Sequence, residues 1–289
     1  MRTRPTRRKR RTALLAALAA FALLAAACSS DGEATDTEGC DPLPTKTEGV
    51  LTVATGEPVF PPWMGVGDDN FDNLEAGTGY EGALVYALAD ELGLSVEWMR
   101  TGFDEAIAPG AKDWDFNIQQ YSITEDREKV VDFSDGYYAV DMALIAYPDN
   151  EAASATSLAD LGDLRLGAAI GTTALTYIDD VIKPANDASV YDDNAALLAA
   201  FDAGQLDGIV VDLPTAFYNT AVNIPDAVIV GVLPAVGGEQ ELGMLFEDGS
   251  PLAACVNTAL DTLRSNGTLD KFQEEYLQQG GAIPMFTEE

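Results

Sequence analysis

The chain has 289 residues, of which 47% are hydrophobic, 48 are acidic, 16 are basic and none is histidine. The net charge of −32 at pH 7 repels nucleic acid and anionic lipid, which argues against both as charge-bound partners. The missing histidine removes the commonest general base and the commonest zinc ligand, so we expect no cofactor and no metal.

Residues 1–27 have the order of a secretory signal peptide. A basic segment, "MRTRPTRRKRRT", precedes the apolar run "ALLAALAAFALLAAA", which is too short to span a bilayer comfortably. Cys28 follows small residues as in a bacterial lipobox, so we expect a lipid on Cys28 to anchor the protein to the outer face of the cell membrane. The alternative is ordinary signal cleavage, which would discard Cys28. Without the signal the chain has 9 basic against 48 acidic residues, a net charge of −39.

Residues 28–48 are polar and almost free of apolar side chains, which predicts a flexible tether after the lipidated cysteine. The exported chain also contains Cys40 and Cys255. Because an exported protein enters an oxidising compartment, a disulfide between them is one interpretation, and two free thiols are the other.

Strand and helix patterns then alternate along the chain. "GVLTVATG" (49–56) reads as a buried strand and "GALVYALADELG" (82–93) as a helix with one apolar face, while "MALIAYP" (142–148) closes the first half. A second half runs from "LRLGAAIG" (164–171) to "DAVIVGVLP", and a long helical segment follows it. This alternation predicts an α/β fold of two lobes, each with a central, mostly parallel sheet flanked by helices.

The final helical segment is too long to cap only the second half, so we expect it to return to the first lobe. The chain would then cross between the lobes twice and form a two-segment hinge. The prediction assigns residues 49–144 and 241–289 to lobe 1 and residues 145–240 to lobe 2.

One basic residue stands where helix electrostatics does not favour it. In "YSITEDREKVVDFSDGYY" (121–138), Thr124 resembles an N-cap, and acidic residues suit the first turn that follows. Arg127 lies in the same turn, although the positive end of a helix repels a cation. This placement indicates a role for Arg127 other than helix stability.

Several polar residues lie at the carboxyl ends of predicted strands, where α/β proteins bind ligands. Arg127 and the strand-to-helix junction at Thr172 and Thr173 suit a carboxylate, although Thr172 has the alternative role of capping its own helix. Asp212 suits an ammonium group, with an N-cap as the alternative. One site for a carboxylate and one for an ammonium group together match the α-carboxylate and α-ammonium of a free amino acid.

The loop "TGEPVFPPWMG" (55–65) follows the first strand and is stiffened by prolines. Phe60, together with Phe103 at another strand end, suits the aliphatic stem of a ligand. Glu57 suits a polar side-chain tip. The alternatives are a rigid surface loop and a core position for the aromatic residues.

Seven segments in this order resemble the amino acid-binding extracellular solute-binding proteins of ABC importers. They are "EPVFPPW", "GYEGAL", "GFDEAI", "YSITEDREKVVDFSDGYY", "IGTTAL", "LDGIVVD" and "NGTLDKF". The resemblance implies the two-lobed type II periplasmic-binding fold. It also implies a monomeric lipoprotein that passes a free amino acid to the permease of an ABC importer.

The resemblance also implies a role for each candidate residue. Arg127 would hold the ligand α-carboxylate through a bidentate pair, aided by Thr172 or Thr173. Asp212 would bind the α-ammonium, with Ser122 hydrogen-bonding nearby.

Phe60 and Phe103 would sandwich the ligand side chain, and Glu57 would contact its tip. Glu57 and the negative charge favour a cationic ligand, although an amide suits the same acid. Ala83 departs from the family pattern, since it replaces an acid of the motif that opens the helix.

Gln119, Gln120 and Tyr121 also depart from the pattern, because small residues usually precede "SIT". Long side chains there can reach into the cleft and change specificity. We expect no enzyme activity; the alternatives are an enzyme on the same fold, such as a cyclic-acid dehydratase, and a sensory ligand-binding protein.

Overall fold

The computed structural model describes residues 40–65, 73–277 and 282–288. The predicted signal peptide (1–27), Cys28 and residues 29–39 of the predicted tether lie outside these ranges. Within them, no helix is both long enough and apolar enough to cross a membrane.

Two five-stranded sheets and one two-stranded ribbon organise the described residues. Their strands are β1 (Val50–Thr55), β2 (Ser95–Arg100), β3 (Phe116–Asn117), β4 (Val131–Phe133), β5 (Tyr138–Val140), β6 (Met142–Ala146), β7 (Leu166–Ala169), β8 (Ser189–Tyr191), β9 (Gly208–Asp212), β10 (Val228–Val232), β11 (Gln240–Leu242) and β12 (Leu245–Glu247).

Each large sheet has a parallel half and an antiparallel half. The first has the order β2-β1-β3-β12-β4: β1 pairs in parallel with β2 and β3, and β12 is antiparallel to both of its neighbours. The second has the order β10-β6-β9-β7-β8: β7 pairs in parallel with β8 and β9, and β6 is antiparallel to both of its neighbours. The parallel strand pairs agree with the predicted, mostly parallel sheets. The antiparallel pairs arise because β12 in the first sheet and β6 in the second run opposite to their neighbours.

Helices flank both sheets. They are α1 (Tyr80–Leu92), α2 (Phe103–Ile107), α3 (Thr173–Tyr177), α4 (Asn194–Asp202), α5 (Leu213–Tyr218), α6 (Leu252–Ser265) and α7 (Thr268–Phe272), of which α3, α5 and α7 continue as π-helical turns. The predicted apolar face of α1 is buried through Leu84, Val85 and Leu88. Gly93 ends this helix at φ 68°, a left-handed conformation that glycine adopts without steric cost.

The helical segment after residue 250 packs back onto the first lobe, as the sequence predicts. Leu252, Val256 and Leu260 of α6 are buried in the same core as α1 and β1. The strands β5 and β11 pair antiparallel between the two large sheets and form the predicted two-segment hinge.

The predicted lobe boundaries need two corrections. The strand β6, whose first residues were assigned to lobe 1, hydrogen-bonds to β9 and β10 in the second sheet. The end of the chain was also assigned to lobe 1, but Phe286 is buried in the core of lobe 2 and Met285 bridges to Val232. An apolar strand contains no information on which sheet it joins, and a short segment at the end of the chain contains none on which core buries it.

Residues 40–48 do not continue the predicted flexible tether. Cys40 and Cys255 form a disulfide that ties the start of this segment to α6. The Lys46 amide also donates to Asp115 Oδ1 at 2.7 Å, and the Lys46 ammonium lies 2.9 Å from Glu247 Oε2. The polar composition of residues 40–48 predicts flexibility. That prediction is wrong here because the residues that anchor this segment are distant in sequence.

Candidate ligand-binding cleft

A cavity of about 330 Å³ lies between the two lobes. Its wall is built from the carboxyl ends of strands in both sheets and from the loops that follow them. The structure brings all the sequence-predicted ligand-binding residues to this wall: Glu57, Phe60, Phe103, Ser122, Arg127, Thr172, Thr173 and Asp212. These eight residues therefore form one candidate site. The role of each residue toward a ligand stays a prediction.

Arg127 is a buried cation whose hydrogen-bond acceptors are neutral. Its side chain donates to the Ser122 carbonyl at 2.6 Å and, across the cleft, to the Gly171 carbonyl at 2.9 Å. The guanidinium carbon lies 5.4 Å from the centre of the Phe103 ring and 5.9 Å from that of Tyr121. Among the described residues no carboxylate lies within ion-pair distance of it, and burial lowers the pKa of the guanidinium. A buried cation without a counter-ion is costly, so this group is suited to an incoming anion.

The backbone around Arg127 differs from the prediction. Residues 127–129 form one 3-10 turn instead of a longer helix, and Thr124 Oγ1 accepts from the Arg127 amide at 3.3 Å. A single turn has little macrodipole, so the expected electrostatic penalty on Arg127 is small. The more informative feature of Arg127 is its burial with no carboxylate of the described residues at ion-pair distance.

The second lobe faces Arg127 with the start of α3. Thr172 caps this helix, because its Oγ1 accepts from the Leu175 amide at 3.2 Å and donates to the Ala169 carbonyl at 2.7 Å. Thr173 Oγ1 instead lies 3.3 Å from Ser122 Oγ of the first lobe. The Thr172 hydroxyl therefore has the capping role given as its alternative, while Thr173 is the threonine whose hydroxyl meets the other lobe.

Gly171 precedes this helix at φ 71°. A Cβ atom there would overlap the Asp104 carboxylate of the first lobe. Glycine thus satisfies both a left-handed conformation and the close approach of the lobes, and its carbonyl remains accessible to Arg127.

Asp212 ends β9 and begins α5, but its side chain makes no capping hydrogen bond to that helix. Burial raises the pKa of Asp212 to about 7, and the charge of Arg127 acts in the opposite direction. Asp212 therefore occupies the N-cap position of α5, but its carboxylate does not cap the helix. A desolvated carboxyl at the cavity wall is suited to an ammonium group, which would favour its ionised form.

The aromatic residues and Glu57 occupy the first-lobe wall. Phe103 stacks on Tyr121 with ring centres 4.5 Å apart, and Tyr121 donates to Gln119 Oε1 at 3.1 Å. Tyr121 is fully buried and supports Phe103 from behind, whereas Gln119 and Gln120 line the cavity. Of the three long residues flagged in the sequence, two reach the cleft and one does not.

One second-lobe segment of the wall was not predicted from the sequence. Asp192, Asp193 and Asn194 follow β8 and line the cavity, and Asp193 caps α4 through an Oδ1 that accepts from the Ala196 amide at 2.7 Å. They lie at a strand's carboxyl end like the other candidates. The strand before them, β8, has three residues and is too short to recognise in the sequence. The residues at its carboxyl end were therefore not considered as ligand-binding candidates.

Contacts across the cleft bring the lobes close together. Trp63 of the first lobe is fully buried and its Nε1 donates to Thr215 Oγ1 of the second at 2.9 Å. The Arg127–Gly171 and Ser122–Thr173 contacts join the lobes as well. In the described residues no group of acidic or cysteine side chains is arranged to hold a metal ion.

Two α/β lobes that close over a charged cavity define a two-lobed ligand-binding protein. Residues 51–279 match the sequence profile of the bacterial extracellular solute-binding proteins, family 3, and the chain belongs to this family. The predicted family and the predicted two-lobed α/β fold are thereby confirmed.

Several known proteins resemble the chain over most of its length. It is 27% identical to the L-cystine-binding protein TcyJ of Escherichia coli over 233 residues, 80% of this chain and 84% of that protein. It is 30% identical to an L-arginine-binding protein of Pseudomonas aeruginosa over 207 residues, 68% of this chain and 78% of that protein. An ancestral arginine-binding protein solved with arginine is 30% identical, with a TM-score of 0.69, covering 80% of this chain and 99% of its own.

Proposed function

We propose that this protein captures a cationic amino acid, L-arginine or a close analogue, between its lobes and delivers it to the permease of an ABC importer. The observation that carries the proposal is the charge of the cleft. Among the described residues of the cavity wall, Arg127 is the one cation, and the acidic residues are Glu57, Asp192, Asp193 and Asp212.

The backbone groups of an amino acid account for only part of this charge. The α-carboxylate pairs with Arg127 and the α-ammonium with Asp212. Glu57 and Asp192 remain, one on each lobe, while Asp193 is engaged in capping α4. A ligand with a positively charged side chain compensates this remaining negative charge, whereas an acidic ligand would be repelled.

The relatives support this class without choosing one ligand. Two of the three proteins described above are named for arginine and one for L-cystine. A glutamine-like amide is the alternative, since Glu57 accepts a hydrogen bond from an amide as well as from a guanidinium.

The rest of the proposal concerns where and how the protein works. We infer that Cys28 carries a lipid that holds a monomeric protein on the outer face of the cell membrane. The ligand would be released to the permease unchanged, because transport requires binding and release and no chemical step.

A thermal-shift screen of the mature protein against the twenty common amino acids, ornithine and L-cystine tests the ligand class. We expect L-arginine, L-lysine or L-ornithine to raise the melting temperature most. Calorimetry then measures affinity, and chromatography of the recovered ligand tests whether it leaves unchanged. Preference for glutamate or aspartate, or conversion of the ligand to a product, would refute the proposal.

A further inference from the structure

Glu81, in the first turn of α1, has a buried carboxylate outside the ligand-binding set. Its side chain is fully buried, and among the described residues no cation lies within ion-pair distance of it. Three donors surround it instead: Tyr137 Oη and the Gln120 amide donate to Oε1, and Gln120 Nε2 donates to Oε2. Two of the three come from Gln120, a residue of the cavity wall.

Gln120 has an unusual backbone conformation. Its φ of 53° lies in the left-handed region, which is unfavourable for a residue with a Cβ atom. Both the amide N–H and the side-chain amide of Gln120 bind the same carboxylate. This two-point contact offsets the cost of the conformation and holds one residue of the cavity wall in a single arrangement.

The contact with Glu81 also decides which groups Gln120 offers to a ligand. A carboxylate only accepts hydrogen bonds, so the Gln120 side chain must turn its nitrogen toward Glu81. The Gln120 Oε1 and main-chain carbonyl remain as acceptors. Ser122, two residues further on, accepts from Arg127, so the bend at Gln120 also positions the carboxylate end of the cleft.

We propose that Glu81 is a positioning residue for ligand recognition: it fixes Gln120 as a hydrogen-bond acceptor for the ligand ammonium, opposite Asp212. This inference rests on the proposed function, because it assigns Glu81 and Gln120 a part in binding an amino acid. Glu81 itself does not line the cavity and acts only through Gln120. Burial raises the pKa of Glu81 to about 7, and its three hydrogen bonds oppose that rise.

A purely structural role is the competing explanation, since Glu81 also joins α1 to Tyr137. A double-mutant cycle separates the two roles. Glu81→Gln keeps an oxygen for Tyr137 and the Gln120 amide but loses the second acceptor for Gln120 Nε2. Gln120→Ala removes the side chain through which the effect would pass.

The experiment measures the dissociation constant for L-arginine by calorimetry in four proteins: wild type, both single variants and the double variant. We expect Glu81→Gln to weaken binding by at least tenfold in the wild-type background and by less than threefold when Gln120 is already alanine. Equal losses in the two backgrounds, or a loss below threefold in the single variant, would overturn the inference.

Asp115→Asn provides the matched control. Asp115 is also a buried acid of the first lobe and accepts from two backbone amides, those of Lys46 and Thr52, but it does not line the cavity. This variant should lower the melting temperature and leave the L-arginine affinity unchanged within threefold.

Two further outcomes are decisive. If Glu81→Gln does not fold, Gln120→Ala tests the ligand contact on which the role of Glu81 depends: a loss below threefold overturns the inference and a loss of threefold or more supports it. If the wild type binds none of the screened amino acids, the proposed function fails and the role of Glu81 falls with it. Additive losses in a wild type that does bind overturn the role of Glu81 alone.

Discussion

Replacing Arg127 tests the ligand-binding cleft most directly. Arg127 is nine-tenths buried, and its guanidinium carbon lies 5.4 Å from the centre of the Phe103 ring and 5.9 Å from that of Tyr121. The guanidinium donates to two neutral carbonyls, and no carboxylate lies at ion-pair distance in the described residues. A ligand carboxylate would be its first anionic partner. The closed lobes exclude water around such a pair, which strengthens it relative to a surface ion pair.

The expected magnitude follows from that burial. Removing one partner of a buried, hydrogen-bonded charge pair costs about 2–5 kcal/mol, or roughly 30- to several-thousand-fold in affinity. Arg127→Ala should show a loss in this range. Arg127→Lys should also lose most of the binding, because an ammonium keeps the charge but cannot hold two carboxylate oxygens in a planar fork. Arg127→Ala also loses the bond to the Gly171 carbonyl that joins the lobes.

Calorimetry with L-arginine, and with any better ligand from the screen, measures the loss, and circular dichroism checks the fold of each variant. Arg165→Ala is the matched control, since this exposed arginine pairs with Asp207 and lies outside the cavity. It should bind like the wild type. An Arg127→Ala protein that binds within about threefold of the wild type, less than 1 kcal/mol, would show that the cleft residues are misassigned.

Four further predictions use other parts of the chain. Glu57→Gln should weaken L-arginine at least tenfold and L-glutamine less than threefold in calorimetry; equal losses would mean that Glu57 does not contact the ligand side chain. Because burial raises the pKa of Asp212 to about 7 and an ammonium needs its ionised form, affinity should fall as pH decreases below 7, by up to about tenfold per pH unit. Asp212→Asn should make that profile less steep, and Glu81, whose pKa burial also raises to about 7, accounts for the part that remains. Asn117 is fully buried, and neither of its side-chain polar atoms has a hydrogen-bond partner among the described residues, so Asn117→Leu should raise the melting temperature by about 2–6 °C in calorimetric scans, and a decrease would contradict this account. Cys28→Ser should release the protein into the medium, as fractionation and immunoblotting would show, and retention on the membrane would refute the lipid anchor.

Local sequence patterns were sufficient for much of the fold. The apolar face and C-terminal glycine of α1 depend on residues within one helix, so periodicity and steric preference identify them. The alternation of strands and helices predicts the α/β class for the same reason. The candidate residues at strand ends could be selected because parallel strands direct their carboxyl ends to one edge of a sheet.

The sequence alone also posed the question of Arg127, since a cation in that turn is unusual. It did not show that no described carboxylate lies within ion-pair distance of Arg127, because two of the neighbours that surround its side chain, Phe103 and Gly171, come from other segments of the chain. Likewise, Glu81 reads as an ordinary acid in the first turn of a helix. Only the fold places it beneath Gln120.

The tertiary structure decided every feature that depends on contacts between distant segments. It placed β6 in the second sheet, tied residues 40–48 to the first lobe, and brought Asp192 to the cavity wall. Strand partners and cavity walls are set by the free energy of packing the whole chain. A local pattern reports only which residues prefer to be buried or to form a given element, so it cannot specify the segment that each one meets.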